Sequence, residues 1–431
     1  MKQNIHVDIH HVTRVEGHGN IKVDVRDGVV ERCDWIIPEA PRFFEAMVRG
    51  RHYSEIQRIV SRICGICSVG HSLAAVKATE DAMGISVSEQ TVKLRKLVKM
   101  SENFDSHVLH VYLLAAPDLA GAPSAFALLP EQSELVARAL KLKRLGHEWG
   151  SILAGRTTHP KMIVPGGFAT LPTVKELKAI REQLLAAIPD LEATIETVKA
   201  LAPAIPDFQR PTEYMAVANN KEYGLYDGYI ETILPDGERS LYGVSDYRKC
   251  TNEYMTLKST AKYTKNQLDS YAVGALSRFN VNYDKLCPEA KDAAAALGIA
   301  PICTNPFYNT VAQVVEIVHM AYEGLRLIDE LITDGIVDER PNNKPTRYGT
   351  GATAVEVPRG ILFHEYTYDA EGFCTGSNIV IPTNQNHGNI QKDFAELVPW
   401  MLERDMEEDD IYLTLEMLVR AYDPCISCST H

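Results

Sequence analysis

Two Cys-x-x-Cys pairs lie near opposite ends of this 431-residue chain. Cys64 and Cys67 belong to "RICGIC", and Cys425 and Cys428 belong to "DPCISCSTH". One pair is a weak signal, because a redox dithiol and half of a zinc site share its spacing. Two pairs supply four thiolates, which are enough to hold a metal centre. If they serve one site, the fold must bring both ends of the chain together.

Spacing alone leaves two other interpretations open. A structural zinc site also uses four thiolates, but its two knuckles usually lie within a few tens of residues of each other. Unrelated buried cysteines are the second interpretation. The other cysteines have no regular disulfide spacing and match no ligand pattern. We expect these to be structural: Cys33, Cys250, Cys287, Cys303 and Cys374.

The composition is that of a globular protein with no nucleic-acid partner. The chain is 45% hydrophobic and 23% charged, which is sufficient for a large core. Its formal net charge is −13, so the basic surface of a nucleic-acid binder is not expected. No stretch approaches the ~18 apolar residues of a membrane span, and the N-terminal sequence has no signal core. We therefore expect a cytoplasmic protein with no direct membrane span.

The hydrophobic pattern predicts a mainly α fold with peripheral β-structure, an α+β class with a central bundle of long helices. Alternating residues predict a β-rich segment over 1–37, and three- and four-residue steps predict helices over 39–215. Turn signals predict an irregular β insertion at about 223–247. Helices joined by loops are predicted over 254–431. No repeat or linker divides the chain, so we expect a single domain over 1–431.

Several motifs follow one another along the chain and carry a resemblance to one family. "RICGICSVGH", which ends at His71, and "DPCISCSTH" contain the cysteine pairs. "VTRVEGHG" and "RFFEAMVRGR" precede the first pair, and "EVPRG" and "NIVIPTNQN" precede the second. In this order the motifs resemble those of the nickel–iron hydrogenase large subunit, from its cytosolic multi-subunit branch. The resemblance implies that family's fold and the reversible heterolytic cleavage of dihydrogen into protons and electrons.

The resemblance implies a nickel–iron centre held by the four thiolates. Cys64 and Cys425 would be terminal nickel ligands, and Cys67 and Cys428 would bridge nickel to iron. The iron would also carry carbon monoxide and two cyanides. Thiolates suit nickel and low-valent iron because all of them are soft.

Three residues are implied to be catalytic: Glu16, Arg359 and Cys425. Glu16 would relay protons beside a terminal cysteine. Arg359 would lie over the open metal position, either as a base on dihydrogen or as a hydrogen-bond donor to a cyanide. Arginine is a poor base in water, so the first role requires strong desolvation.

Further residues are implied to line the centre. His71 would donate a hydrogen bond toward a bridging sulfur. Pro358 and Pro382 would shape a dry pocket, and Thr383 would offer its hydroxyl to a cyanide. Asp423 would hold Arg359 or the terminal loop in place.

A magnesium ion is also implied near the centre. Glu45, the backbone carbonyl of Ile379 and the imidazole of His431 would be its ligands. Oxygen-rich, partly hydrated coordination suits magnesium, although histidine is a less usual ligand for it.

The chain departs from the respiratory hydrogenases next to His107. Those proteins carry an aspartate immediately before this position, whereas this chain has Ser106, with Asp105 one place earlier. A second aspartate partner for Arg359 is therefore not expected at that position. His107 and His110 lie one helical turn apart, and we expect core roles for both rather than metal binding.

The sequence has no cysteine pattern for an iron–sulfur cluster and no dinucleotide-binding fingerprint. Electrons are therefore expected to leave through an iron–sulfur small subunit, followed by further flavin or iron–sulfur electron-transfer subunits. The acceptor would be NAD(P), ferredoxin or a related soluble carrier, with flavin-based bifurcation as one route. Two other classes stay open: a non-catalytic relative such as a quinone-pocket subunit of respiratory complex I, and a zinc-stabilised scaffold.

Overall fold

The computed structural model of the chain describes residues 4–129 and 132–431, so the first three residues of the predicted β-rich segment lie outside it. The α-helices, numbered in chain order, are α1 Phe44–Val48, α2 Tyr53–Val60, α3 Ser68–Met83, α4 Glu89–Leu109, α5 Ala116–Leu119, α6 Ser133–Ala154, α7 Val174–Leu201, α8 Ala275–Asn282, α9 Pro288–Ala296, α10 Asn309–Asp334, α11 Pro382–Leu402, α12 Glu408–Ala421 and α13 Ile426–Ser429. The strands are β1 Ile5–Ile9, β2 Asn20–Arg26, β3 Val29–Ile36, β4 Ile163–Val164, β5 Gly167–Phe168, β6 Glu213–Ala218, β7 Tyr229–Ile233, β8 Arg239–Tyr242, β9 Asn252–Thr256, β10 Ser259–Lys265, β11 Tyr271–Ala272, β12 Thr350–Val357, β13 Gly360–Tyr368 and β14 Cys374–Val380.

The predicted central bundle of long helices is confirmed, and it consists of α4, α6, α7 and α10. α4 packs against both α6 and α10, and α10 packs against α7. Apolar side chains at helical spacing form one core cluster, in which Trp149 of α6 is fully buried. Gly324 of α10 permits this approach, because a Cβ there would lie 2.7 Å from the Trp149 ring.

The N-terminal strands β1, β2 and β3 form an antiparallel sheet in that order. Val23 in β2 is fully buried, whereas its neighbours Lys22 and Asp24 are partly exposed, as the alternating sequence requires. β3 packs against α11, and the indole Nε1 of Trp35 donates to Nδ1 of His387 at 3.0 Å. This packing holds the N-terminal segment beside the C-terminal helices.

The β-structure in the middle of the chain extends beyond the predicted insertion at 223–247. Strands β6 to β11 span residues 213–272 and form a four-stranded sheet in the order β11-β6-β7-β8, together with the hairpin β9–β10. All six residues of β6, "EYMAVA", are buried. A strand buried on both faces shows no alternation, so its period does not distinguish it from a buried helix.

The segment 254–431 also contains more β-structure than predicted. β12, β13 and β14 form an antiparallel sheet, and its first two strands pack against α3. The "EVPRG" motif forms the tight turn between β12 and β13, and "NIVIPTNQN" joins β14 to α11. Both motifs are therefore held by a sheet that lies behind the first cysteine pair.

Among the helices that the structure describes, none is both long and apolar enough to cross a membrane.

Candidate metal centre

The four cysteines of the two motifs meet in the interior. Cys64 and Cys67 lie between α2 and α3. Cys425 immediately precedes the short helix α13, and Cys428 lies within it. Their sulfurs all lie within 4.8 Å of one another. The shortest Sγ–Sγ distances are 2.9 Å between Cys425 and Cys428, 3.1 Å between Cys67 and Cys428, and 3.3 Å between Cys64 and Cys425. A disulfide measures about 2.05 Å, so these are four free thiols, each at most 4% exposed.

The ionisation of these thiols favours the binding of cations. Neighbouring sulfurs, Cys425 first, donate hydrogen bonds to Cys64 and lower the pKa of its thiol well below the ordinary value. Burial raises the pKa of Cys425 and of Cys428 well above that value. Four thiolates in one dry cluster therefore require metal ions to balance their charge. The donor set fits soft metals and offers no hard ligand among its four sulfurs.

Arg42, which the sequence analysis missed, fastens the two cysteine segments to each other. Its guanidinium Nη2 donates to the carbonyl of Ile63 at 2.7 Å and also to the carbonyl of Ser427. Its backbone N–H donates to the carbonyl of Thr430 at 2.7 Å. One side chain thus joins the residue before Cys64 to the residue before Cys428.

Glu16 lies against the second cysteine pair. Its carboxylate Oε2 is 3.1 Å from the Cys425 sulfur and accepts the backbone N–H of Ser427 at 3.0 Å. Gly17 follows in the left-handed region at φ +87°, and a Cβ there would lie 2.6 Å from Cβ of Ile426. Only glycine allows the N-terminal segment to approach the cysteine turn this closely.

Arg359 projects from the β12–β13 turn and is 4% exposed. Its Nη2 donates to Oδ1 of Asp423 at 2.7 Å, and its Nη1 is 3.4 Å from the hydroxyl of Ser106. Asp105 does not reach it and instead forms an ion pair of 2.6 Å with Lys143. Arg359 therefore has one aspartate partner, in agreement with the departure at position 106.

The charge of Arg359 favours its predicted role as a hydrogen-bond donor to a cyanide over the role of a base on dihydrogen. Burial alone would lower the pKa of the guanidinium, but the charges of Asp423 and Cys425 outweigh burial and raise that pKa. The side chain therefore remains protonated. A fixed cation suits hydrogen-bond donation and not proton abstraction.

A buried charge cluster, also missed from the sequence, holds the turn that carries Arg359. Arg278 of α8 donates to both carboxylate oxygens of Glu316 at 2.6 Å and to Glu356 at 2.9 Å. The same guanidinium donates to the carbonyls of Val357 at 2.9 Å and Pro358 at 3.0 Å. All three charged side chains are fully buried. The available signal was Glu316, a glutamate within the apolar face of the α10 sequence "VAQVVEIVHM".

The junction between β14 and α11 forms another wall of the site. Pro382 is the first residue of α11, a position where its missing N–H costs nothing. The hydroxyl of Thr383 accepts the backbone N–H of Cys425 at 3.0 Å. Its own proton is therefore free to be donated, as the expected contact with a cyanide requires.

Glu45, Ile379 and His431 also come together. The Nε2 atom of His431 is 3.0 Å from the Ile379 carbonyl oxygen and 3.8 Å from Oε1 of Glu45, and its Nδ1 is 3.0 Å from the Cys428 carbonyl oxygen. A neutral imidazole has one N–H. If Nδ1 donates to Cys428, the Nε2 lone pair faces two oxygen acceptors. A cation between these three atoms, or a second ring proton, resolves that conflict.

The histidines singled out in the sequence fall into two groups: one lies beside the cysteines, and two lie in the core. His71 places Nε2 at 3.7 Å from the Cys428 sulfur. His107 contacts Glu316 at 2.7 Å, and His110 lies between Gln313 and the backbone of α12, so both are buried in the core. Among the described residues, the five remaining cysteines do not join a cluster of potential metal ligands.

The chain matches known proteins over nearly its whole length. The model of the nickel-dependent hydrogenase family matches residues 42–141 and 213–431. The alpha chain of sulfhydrogenase 1 from Pyrococcus furiosus is 34% identical over 428 residues, which are 99% of this chain and 97% of that protein. One subunit of the F420-non-reducing hydrogenase of Methanothermobacter marburgensis is 32% identical, over 97% of this chain and 93% of that protein. A crystal structure of NAD+-reducing [NiFe]-hydrogenase in the H2-reduced state matches with a TM-score of 0.88 and 28% identity, over 99% of each chain.

The chain therefore belongs to the nickel-dependent hydrogenase family. Within it, the fold and the four-sulfur site are those of the large, catalytic subunit of a nickel–iron hydrogenase, an oxidoreductase that works with other subunits. The two alternative classes, a non-catalytic relative and a zinc-stabilised scaffold, are set aside.

Proposed function

We propose that the chain holds a nickel–iron centre whose iron carries carbon monoxide and two cyanides, and that dihydrogen is cleaved heterolytically and reversibly there. One observation carries the proposal. Four buried sulfurs converge from both ends of the chain, and the Glu16 carboxylate lies 3.1 Å from one of them. When bound, the centre would supply an open coordination position and take up the electrons.

The four cysteines would divide into two kinds of ligand. Cys64 and Cys425 would be terminal on nickel, and Cys67 and Cys428 would bridge nickel to iron. The approach of all four sulfurs to within 4.8 Å of one another supports their binding to one shared centre.

Glu16 and Arg359 would act directly beside the centre. The Glu16 carboxylate, 3.1 Å from the Cys425 sulfur, would accept the proton of that thiol and release it toward the surface. The Ser427 N–H donates to the same carboxylate oxygen at 3.0 Å and fixes its position beside the sulfur. Arg359 would supply fixed positive charge and N–H donors, held by Asp423. Pro358, Pro382 and the buried sulfurs keep water out.

We propose magnesium as the cation between Glu45, the Ile379 carbonyl and His431. A carboxylate, a carbonyl and an imidazole leave room for the water ligands that magnesium usually keeps. The ion would tie the turn of the second cysteine pair to β14. Removing magnesium should therefore loosen residues 425–430 before it affects the rest of the fold.

The face above the first cysteine pair supports electron transfer to an iron–sulfur small subunit. Arg58, Arg62, Arg156 and Lys161 line one surface cavity, and no carboxylate among the described residues lies within 4.0 Å of their charged groups. Gly65, between the two cysteines, is exposed on this side. In a chain of net charge −13, such a surface suits an acidic partner that brings its cluster close to the sulfurs.

Charge reversal tests this docking surface. Arg62→Glu with Arg156→Glu should lower copurification of the small subunit by ~10-fold or more, since like charges would face each other. Lys175→Glu with Lys178→Glu, on the exposed face of α7, is the matched control. Equal retention by both double variants would place the small subunit elsewhere.

The acceptor is proposed to be NAD(P), ferredoxin or a related soluble carrier, reached through flavin or iron–sulfur subunits. One relative is named as a subunit of an NAD-reducing hydrogenase, which supports NAD within this range. Flavin-based bifurcation would require a flavin subunit in the complex. We place the complex in the cytoplasm, where nine free thiols would remain reduced.

Hydrogen-uptake assays on the purified complex test the proposed chemistry. The wild type should reduce an acceptor with dihydrogen and show infrared bands from iron-bound carbon monoxide and cyanide. Cys425→Ser should abolish uptake, because a terminal ligand is lost. Uptake by that variant at the wild-type rate would reject the ligand assignment.

A further inference from the structure

A chain of three polar side chains extends from the second cysteine pair into the core. His71 Nε2 lies 3.7 Å from the Cys428 sulfur, and His71 Nδ1 lies 3.2 Å from His364 Nε2. His364 Nδ1 lies 2.7 Å from the hydroxyl of Tyr366. His364 and Tyr366 point inward from β13 and are fully buried, and His71 of α3 is 1% exposed.

The hydrogen-bond pattern leaves two directions for this chain. A neutral imidazole has one N–H, so each ring donates on one side and accepts on the other. In the first direction, Tyr366 donates to His364, His364 donates to His71, and His71 donates to sulfur. In the second direction every bond is reversed, and the Cys428 thiol must be the first donor. Protonating both rings would place N–H against N–H across 3.2 Å.

One observation selects the first direction in the protein itself, and metal binding would supply a second reason. Among the described residues, the Tyr366 hydroxyl has no hydrogen-bond partner except His364, so the second direction leaves a buried O–H without an acceptor. Such a group costs about 1–3 kcal/mol. In addition, a metal-bound Cys428 is a thiolate and has no proton to donate. In the first direction every member of the chain is satisfied.

We propose that His364 and Tyr366 are positioning residues that fix His71 as the Nε2–H tautomer, so that it donates to the Cys428 sulfur. Neither residue touches the sulfur, and both act through His71. A hydrogen bond to a bridging sulfur withdraws electron density from it and thereby tunes the metals that it binds. The effect on the metals rests on the proposed function, whereas the tautomer is a property of the protein alone.

Nitrogen-15 NMR of histidine-labelled, metal-free protein tests the tautomer, with His71→Gln used to assign the signal. We expect Nε2–H on His71 in the wild type and a shift toward Nδ1–H in Tyr366→Phe, which removes only the hydroxyl. Tyr368→Phe is the matched control, because its hydroxyl on the same strand bonds Thr79 instead. Nδ1–H on wild-type His71, or the same tautomer in wild type and Tyr366→Phe, would overturn the proposal.

A second variant separates positioning from folding. His364→Gln presents an amide N–H close to the position of the imidazole Nε2 and should keep His71 as the Nε2–H tautomer even if Tyr366→Phe folds poorly. His364→Leu removes that donor and should lose the preference. If His71 stays the Nε2–H tautomer in His364→Leu, the proposed series of hydrogen bonds is wrong.

Infrared spectra of the metal-loaded complex supply the second readout. The iron-bound carbonyl band should shift in Tyr366→Phe and in His364→Leu, and it should stay in place in Tyr368→Phe and His364→Gln. An unchanged carbonyl band in Tyr366→Phe would show that Tyr366 does not influence the metals through His71. If the wild type shows no such band at all, the nickel–iron assignment fails, and the NMR result still decides the tautomer.

Discussion

The two cysteine pairs contribute equal numbers of sulfurs but are held in different ways. The first pair, Cys64 and Cys67, lies between helices that are backed by the β12–β13 sheet and its buried charge cluster. The second pair is held by hydrogen bonds with residues distant in sequence, such as Glu16, Arg42 and Thr383. Both pairs are buried, but packed helices and a sheet hold the first pair, whereas contacts between distant segments of the chain hold the second. Damage to the first should unfold the protein, and damage to the second should loosen one turn.

Arg278→Leu should have the largest effect on stability. It leaves the fully buried Glu316 carboxylate without its cation and removes the hydrogen-bond donor to Glu356. Breaking a buried ion pair in this way costs about 3–5 kcal/mol, and we expect that loss in the free energy of unfolding measured with denaturant. Arg326→Leu, in an exposed pair on α10, is the control and should cost less than ~1 kcal/mol. Equal losses would remove the distinction between core and surface charges.

Glu16→Gln should lower turnover strongly while the metal ligands of the second pair stay intact. The amide keeps an oxygen for the Ser427 N–H but cannot accept a proton from Cys425. Loss of a positioned acid–base group lowers rates by ~10²–10⁴-fold, and we expect hydrogen uptake to fall within this range. Nickel and iron content should stay unchanged, as should uptake in the exposed control Glu31→Gln. Wild-type uptake in Glu16→Gln would exclude Glu16 from the proton path.

Stability should also depend on pH through Glu356 in the charge cluster. Burial raises the pKa of Glu356 from its ordinary 4.5 to about 7. Between these values the unfolded chain has released a proton that the folded protein keeps, so the free energy of unfolding falls as pH rises from about 4.5 to about 7. The fall is on the order of 3 kcal/mol. Urea unfolding across this range should show it, and Glu356→Gln should abolish it; an identical fall in the variant would assign it to another group.

Arg42→Gln should have the smallest and most local effect. It removes the donor that joins the segments of the two cysteine pairs and leaves two carbonyls without it. A lost buried hydrogen bond costs about 1–3 kcal/mol. We expect faster hydrogen exchange at the amides of residues 425–430 with little change in global unfolding. Arg49→Gln, an exposed arginine nearby in sequence, is the control. Faster exchange throughout the core would show that both halves are one cooperative unit.

The parts of the site that the sequence predicted were those with short-range signals. The cysteine pairs, Glu16 and Arg359 lie in motifs that can be quoted as a few letters. The long helices were predictable because their apolar stripes repeat over many turns. β6 was not predictable in the same way, since a strand buried on both faces lacks a period.

The residues that were missed act through contacts between distant parts of the chain. Arg278 meets Glu316 and Glu356 only after α8, α10 and β12 have packed together. Arg42 resembles any other charge on an amphipathic segment until Ser427 lies beside it. His364 stands five residues after Arg359 as an ordinary strand residue, and its direction toward His71 depends on the sheet packing against α3. Such contacts are tertiary and leave no local pattern.

Metal analysis of single cysteine variants tests the central claim most directly, because one site built from both ends should lose its metals when either end is changed. The wild-type chain should contain about one nickel and one iron. Cys67→Ser and Cys428→Ser should each lose both metals, although the two cysteines come from opposite ends of the chain. Zinc alone in the wild type, or a full complement of both metals in either variant, would contradict the account.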